Sequence, residues 1–183
     1  MISANKFSSF KNDLAVITPN HNKYTYSQLL DYRETFIEKI NNRSLLLFLS
    51  DNSVGSFIGY TSFITSGIVP LIVDSNLDKD LVQNLIKTYK PRYLYAPNKN
   101  NFINSLGHTI HSVLGYSLVV VEEHQNPTLA NDLCLLLPTS GSTGSPKLVR
   151  LSYNNIYSNS KSIINYLSID KSERPITILP ISY

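Results

Sequence analysis

Thr139-Ser140-Gly141-Ser142-Thr143-Gly144-Ser145-Pro146-Lys147 decides how this chain is read. The stretch sits between two apolar runs, Leu133-Cys134-Leu135-Leu136-Leu137 with Pro138, and Leu148-Val149-Arg150-Leu151. Ser152 then caps a helix expected over Tyr153 to Leu167. The order is therefore strand, loop, strand, helix. Glycine lets backbone approach a ligand closely and turns several N–H groups toward one point. The hydroxyls of Thr139, Ser140, Ser142 and Thr143 add donors, and Lys147 adds a full positive charge. Such a loop suits an oxyanion with many acceptors, and polyphosphate fits that description. A Walker loop needs Gly directly before the Lys and Ser or Thr directly after it, but here Pro146 and Leu148 flank Lys147. The dinucleotide fingerprint fails too, because Gly141 and Gly144 are wrongly spaced for it. By composition alone the same residues also suit a surface turn.

Working toward the N-terminus, the pattern alternates between two periods. Thr25 to Asn42 reads as a helix: Thr25 and Gln28 form a capping-box pair, and Leu29, Phe36, Ile37 and Ile40 recur at helical spacing. Leu45-Leu46-Leu47-Phe48-Leu49 is a continuous apolar run, the mark of a strand buried on both faces. Asp51, Asn52 or Ser53 caps the next helix, which ends near Gly67. Val69 to Asp74 is a second buried strand. Asp78 to Tyr89 is a helix with Leu81, Val82, Leu85 and Ile86 on its apolar face, stopped by Pro91. Arg92 to Ala96 is a third strand, and Asn100 to Leu106 a short helix. Thr109 to Val113, Ser117 to Glu122 and Ile176 to Leu179 read as further strands. Alternating strands and helices with short connections predict an α/β fold, a mostly parallel sheet with helices on both faces. Polar Glu122 to Asn131, with Pro127, is the best internal boundary. It divides an α/β subdomain over roughly 1–125 from a loop hairpin, helix and strand over 126–183.

Composition sets the outer limits. The chain has 183 residues, 42% hydrophobic and 16% charged, with a formal net charge of +3. Lys and Arg are scattered, so no basic stripe predicts a nucleic-acid partner. The one cysteine, Cys134, excludes an internal disulfide framework and favours a reducing, cytoplasmic setting. Within an apolar run it reads as a small core residue, not a nucleophile. Asn52 to Val73 carries no charge and is long enough to cross a bilayer. Its six Ser and Thr residues and Pro70 instead predict a soluble helix followed by a buried strand. His108 and His111 would face opposite sides of a strand and could not share a metal. No metal site is expected.

The ordered string from Thr139 to Lys147 resembles the phosphate-binding signature of the adenylate-forming superfamily. That superfamily includes acyl- and aryl-CoA synthetases, nonribosomal peptide adenylation domains and luciferases. Its pattern runs Thr-Ser-Gly, Ser or Thr, Thr-Gly, any residue, Pro-Lys and usually Gly. Leu148 stands where that last Gly is usual. Two weaker echoes fall in the family's order. They are Tyr24-Thr25-Tyr26-Ser27-Gln28-Leu29 and Ser66-Gly67-Ile68-Val69-Pro70-Leu71, the latter with Ser66 in place of Ala.

The resemblance implies the N-terminal subdomain of the adenylate-forming ligase fold, with the C-terminal domain absent. It implies an ATP-dependent enzyme in which a carboxylic acid attacks the α-phosphate, giving an acyl-adenylate and pyrophosphate. Coenzyme A or the pantetheine of a carrier protein would be the possible acceptor. By the same resemblance, Thr139, Ser140, Gly141, Ser142, Thr143, Gly144 and Lys147 would hold the β- and γ-phosphates. No catalytic residue is expected within the chain, and the ligand for Mg2+ is expected beyond it. Leu179-Pro180-Ile181-Ser182-Tyr183 resembles the start of the family's next motif. The chain is thus expected to be a truncated piece, inactive alone. The alternatives are a non-catalytic nucleotide- or partner-binding α/β domain, and a flavodoxin-like domain whose loop is only a turn.

Overall fold

A computed structural model of the chain describes residues 5–40, 43–138, 147–179 and 181–182. The chain opens with α1 (Asn5–Ser8) and a small antiparallel pair, β1 (Leu14–Ile17) and β2 (Lys23–Thr25). Sequence reading missed all three elements. They are short, and β1 and β2 pair only with each other. Next comes α2 (Tyr26–Lys39), closed at its start by the expected Thr25–Gln28 capping box.

The main sheet is built from β3 (Leu45–Ser50), β4 (Val69–Asp74), β5 (Tyr93–Pro97), β6 (His108–Val113), β7 (Tyr116–Val120), β8 (Leu133–Pro138) and β9 (Leu148–Ser152). Among the described residues its order is β6-β7-β5-β3-β4-β8-β9. The central strands β5, β3, β4 and β8 are parallel, while β7, β6 and β9 pair antiparallel at the two flanks. The sheet is therefore mixed, with a parallel centre. The β6–β7 connection is the two-residue turn Leu114-Gly115, with φ of 47° and 83°. Positive φ at both positions matches the right-handed twist of the strands it joins.

Between the strands lie α3 (Val54–Ser66), α4 (Lys79–Tyr89) and α5 (Asn101–Asn104), and α6 (Tyr153–Tyr166) follows β9. α3 is capped by Ser53 and ends on Gly67 at φ 84°, a left-handed turn that glycine adopts without steric cost. The uncharged stretch from Asn52 is thus α3 plus β4, and no described helix is long and apolar enough to cross a membrane.

The helices cover both faces of the sheet, as the alternation along β3 dictates. Leu45, Leu47 and Leu49 join Leu71, Val73 and Leu94 beneath Val82 and Leu85 of α4 and Ile103 of α5. Leu46 and Phe48 join Ile72 and Tyr95 beneath Phe36 of α2 and Ile58 and Phe63 of α3. On that second face the rings of Phe36, Phe48, Phe63 and Tyr95 meet at 5.0–5.8 Å between centroids, mostly edge to face. Gly59 lies against the Tyr95 ring, and a Cβ there would come within 2.4 Å of it. The strand expected at Ile176 to Leu179 is not formed: the segment is irregular, and Ile176, Ile178 and Leu179 are exposed. An apolar run becomes a strand only where another strand pairs with it, and none of the described strands does so here.

Candidate functional site

The parallel strands place their exits on one edge. β3 leaves at Ser50, β4 at Asp74, β5 at Pro97 and β8 at Pro138. The chain after β3 runs to α3 on one face, while the chain after β4 runs to α4 on the other. Diverging connections leave a crevice at the carboxyl ends of such strands, the usual ligand position in open α/β sheets.

The residues that flank the phosphate-loop candidates lie at this edge: Pro138 and Leu148 are register partners in an antiparallel pair. The strand–loop–strand reading of this region is therefore correct on both flanks. Thr139, Ser140, Gly141, Ser142, Thr143 and Gly144 fall outside the described residues. Lys147 is described. It is exposed and stands one residue before β9. Beyond β9, Ser152 caps α6 in a capping box with Asn155: the Asn155 N–H donates to Ser152 Oγ at 3.2 Å, and the Ser152 N–H to Asn155 Oδ1 at 2.9 Å.

A polar network fills the same edge at the end of β3, and sequence reading found only its capping role. Tyr116 Oη donates to Asp51 Oδ1 at 2.7 Å, and the Ser53 N–H donates to the same oxygen at 3.0 Å. The Asp51 N–H lies 3.2 Å from Tyr116 Oη and 3.3 Å from Ser56 Oγ. Burial first, then the bond to Asp51, pushes the Tyr116 phenol well up from its usual range. Tyr95, deeper still, is also pushed up by burial, and its Oη donates to Gly55 O at 2.9 Å. Asn52 Nδ2 donates to Ile178 O at 3.0 Å, drawing the segment after α6 back across the edge. Beside the exits of β4 and β5 lies an open cleft of about 330 Å3, lined by Ser75, Asn76, Pro97, Lys99, Asn100 and Asn101. The signal available for this network was an acid and an amide directly after a fully buried strand. Its partner Tyr116 is distant in sequence and could not be inferred.

The other residues singled out have structural surroundings. Cys134 is buried, and burial pushes its thiol up to about 11, the opposite of what a nucleophile needs. His111 packs edge-on to Phe36 and lies 3.3 Å from Thr35 Oγ1, and its pKa is lowered by burial and then by Lys39. His124 Nδ1 lies 2.9 Å from Pro91 O. Among the described residues, no group of three or more His, Cys, Asp or Glu is placed to hold a metal ion.

Comparison with known proteins places these features in a family. The model of the family described as AMP-binding enzyme matches residues 4–183. D-alanine–D-alanyl carrier protein ligase from Staphylococcus aureus is 22% identical over 139 residues, covering 72% of this chain and 27% of that protein. Gramicidin S synthase 1 from Brevibacillus brevis is 24% identical over 179 residues, covering 89% of this chain and 16% of that protein. The chain thus spans well under a third of these curated relatives. The structure of o-succinylbenzoate CoA synthetase from Bacillus subtilis, in complex with its acyl-adenylate intermediate, superposes with a TM-score of 0.74 at 16% identity. The match covers 97% of this chain and 49% of that one.

Proposed function

The chain belongs to the AMP-binding enzyme family, and on that premise we propose that it is the phosphate-gripping part of an ATP-dependent ligase that activates a carboxylic acid. In the proposed reaction a carboxylate oxygen attacks the α-phosphorus of ATP. A new O–P bond forms, the bond from the α-phosphorus to the bridging oxygen breaks, and pyrophosphate leaves with that electron pair. The products are an acyl-adenylate and pyrophosphate. Such transfers depend on positioning and charge neutralisation more than on covalent help. Thr139, Ser140, Ser142 and Thr143 would donate to the β- and γ-phosphate oxygens, Gly141 and Gly144 would give the backbone room, and the Lys147 ammonium would balance the charge of the departing pyrophosphate. A thiol acceptor, coenzyme A or a carrier-protein pantetheine, would then take the acyl group. The carrier-protein form is favoured by the relatives' names, a carrier protein ligase among them.

One observation supports this reading: Pro138 and Leu148, which flank the ordered string, pair with each other at the carboxyl edge of the parallel strands. The 183-residue chain is expected to bind pyrophosphate without catalysing ATP–pyrophosphate exchange, because it spans only 27% and 16% of the two ligase relatives. The test is that exchange reaction in a protein extended to the length of its relatives. Lys147→Ala should slow it by about a hundred-fold, the cost of removing one preorganised charge partner. Exchange at the original rate would sink the reading. Pyrophosphate binding with no exchange in the extended protein would favour a non-catalytic nucleotide-binding domain.

A further inference from the structure

The hairpin formed by β8 and β9 joins the rest of the sheet through β8. β8 meets β4 through a parallel ladder with the register pair Leu71↔Leu136, and beside it Pro70 has no N–H to donate. Among the described residues, β9 pairs with β8 alone. At the base of this hairpin, away from the loop, sits the Arg43 guanidinium. Its Nη1 donates to Gly67 O at 3.0 Å, at the turn that leads into β4, and lies 3.4 Å from Tyr153 Oη. Its Nη2 donates to Ala130 O at 2.7 Å and to Leu133 O. Leu133 is the first residue of β8, and its register partner Ser152 is the last of β9, next to Tyr153. One side chain thus grips both feet of the hairpin and the turn before β4. A planar cation with fixed donor directions suits this task, and an ammonium on a flexible stem does so less well.

We propose that Arg43 is a positioning residue for phosphate binding: by fixing the feet of the β8–β9 hairpin against β4, it holds in register the two strands that flank the phosphate-loop residues. The proposal rests on the phosphate-binding reading of that loop. It acts through the rigidity of the two short strands on either side of that stretch.

The test uses the 183-residue chain and its variants Arg43→Gln and Arg43→Lys. Hydrogen exchange is followed strand by strand, and pyrophosphate binding is measured by calorimetry well below the unfolding temperature. Arg43→Gln should speed exchange in residues 133–138 and 148–152 more than in 45–50 and 93–97, and should weaken pyrophosphate binding by about ten-fold, because small misplacements of positioned groups are costly. Arg43→Lys should recover part of both effects. A merely structural arginine would lower the melting temperature while leaving the dissociation constant of the folded protein unchanged, and that result overturns the proposal. Uniformly faster exchange across all strands overturns it too. Where the original chain binds no pyrophosphate, the phosphate-loop reading itself fails; where it binds and Arg43→Gln binds equally well, only the Arg43 role fails. Should Arg43→Gln not fold, Arg43→Lys and Tyr153→Phe carry the same two measurements.

Discussion

The central strands and the arm that follows the proposed phosphate loop are stabilised in different ways. In β3 every residue is buried, and β4 is buried up to Asp74. Both strands are covered by helices on each face, and their order follows from removing apolar area from water. In α6 only Tyr153 is buried, and Tyr166 remains 88% exposed. Ile163, Ile164 and Leu167 on the same helix face solvent as well. The arm therefore depends on local devices: the Ser152–Asn155 capping box, the β8–β9 register and the reach of Arg43 to Tyr153. Charge divides the same way. Residues 1–146 balance to zero, and the formal net charge of +3 falls on Lys147, Arg150, Lys161, Lys171 and Arg174 against Asp170 and Glu173. The lesson is that one chain can place a rigid, neutral frame beside a lightly held cationic arm, and the proposed phosphate grip lies at their junction.

Substitutions should separate the two regions by size of effect. Phe48→Ala empties the ring cluster that joins β3 to α2 and α3, and should cost about 3–5 kcal/mol. Urea unfolding measured by far-ultraviolet circular dichroism should show it as a loss across the whole chain. A loss under 1 kcal/mol would mean the frame is not held by that cluster. Ser152→Ala removes one cap and should cost about 1 kcal/mol. Hydrogen exchange should show it as faster exchange in the first turn of α6 with β3 unchanged, and faster exchange in β3 would erase the distinction between frame and arm. Ile163→Asn should change stability by no more than about 0.5 kcal/mol, as expected for an exposed side chain. A larger thermal shift would show that the helix face is covered in solution.

How much of this was legible in the sequence depended on how local the cause was. The Thr25–Gln28 box, the Ser152 cap and the run from Leu45 to Leu49 are each written within a few residues, and each stands where it was read; of the three cap candidates Asp51, Asn52 and Ser53, it is Ser53 that caps α3. The loop string was legible as a string, and its flanks Pro138 and Leu148 pair as a hairpin requires. What escaped was non-local. Nothing between Leu133 and Pro138 says that this strand pairs with β4, or that β6 and β7 extend the far side. Tyr116 meets Asp51 across 65 positions, and Arg43 reaches Tyr153 across 110. Ile176 to Leu179 misled because its composition is that of a strand, whereas strand formation is decided by a neighbour.

The buried phenols at the end of β3 also bound the conditions under which the frame survives. Twelve tyrosines and no tryptophan make phenol the dominant near-ultraviolet chromophore of the chain. Burial makes Tyr95 and Tyr116 hold their protons to higher pH in the folded state than they would unfolded. The folded form then binds more protons than the unfolded one, so stability falls as pH climbs past the ordinary phenol range. Ionisation of these two phenols is thereby coupled to the opening of the frame, so alkaline absorbance offers an optical signal for the edge on which the nucleotide is proposed to sit.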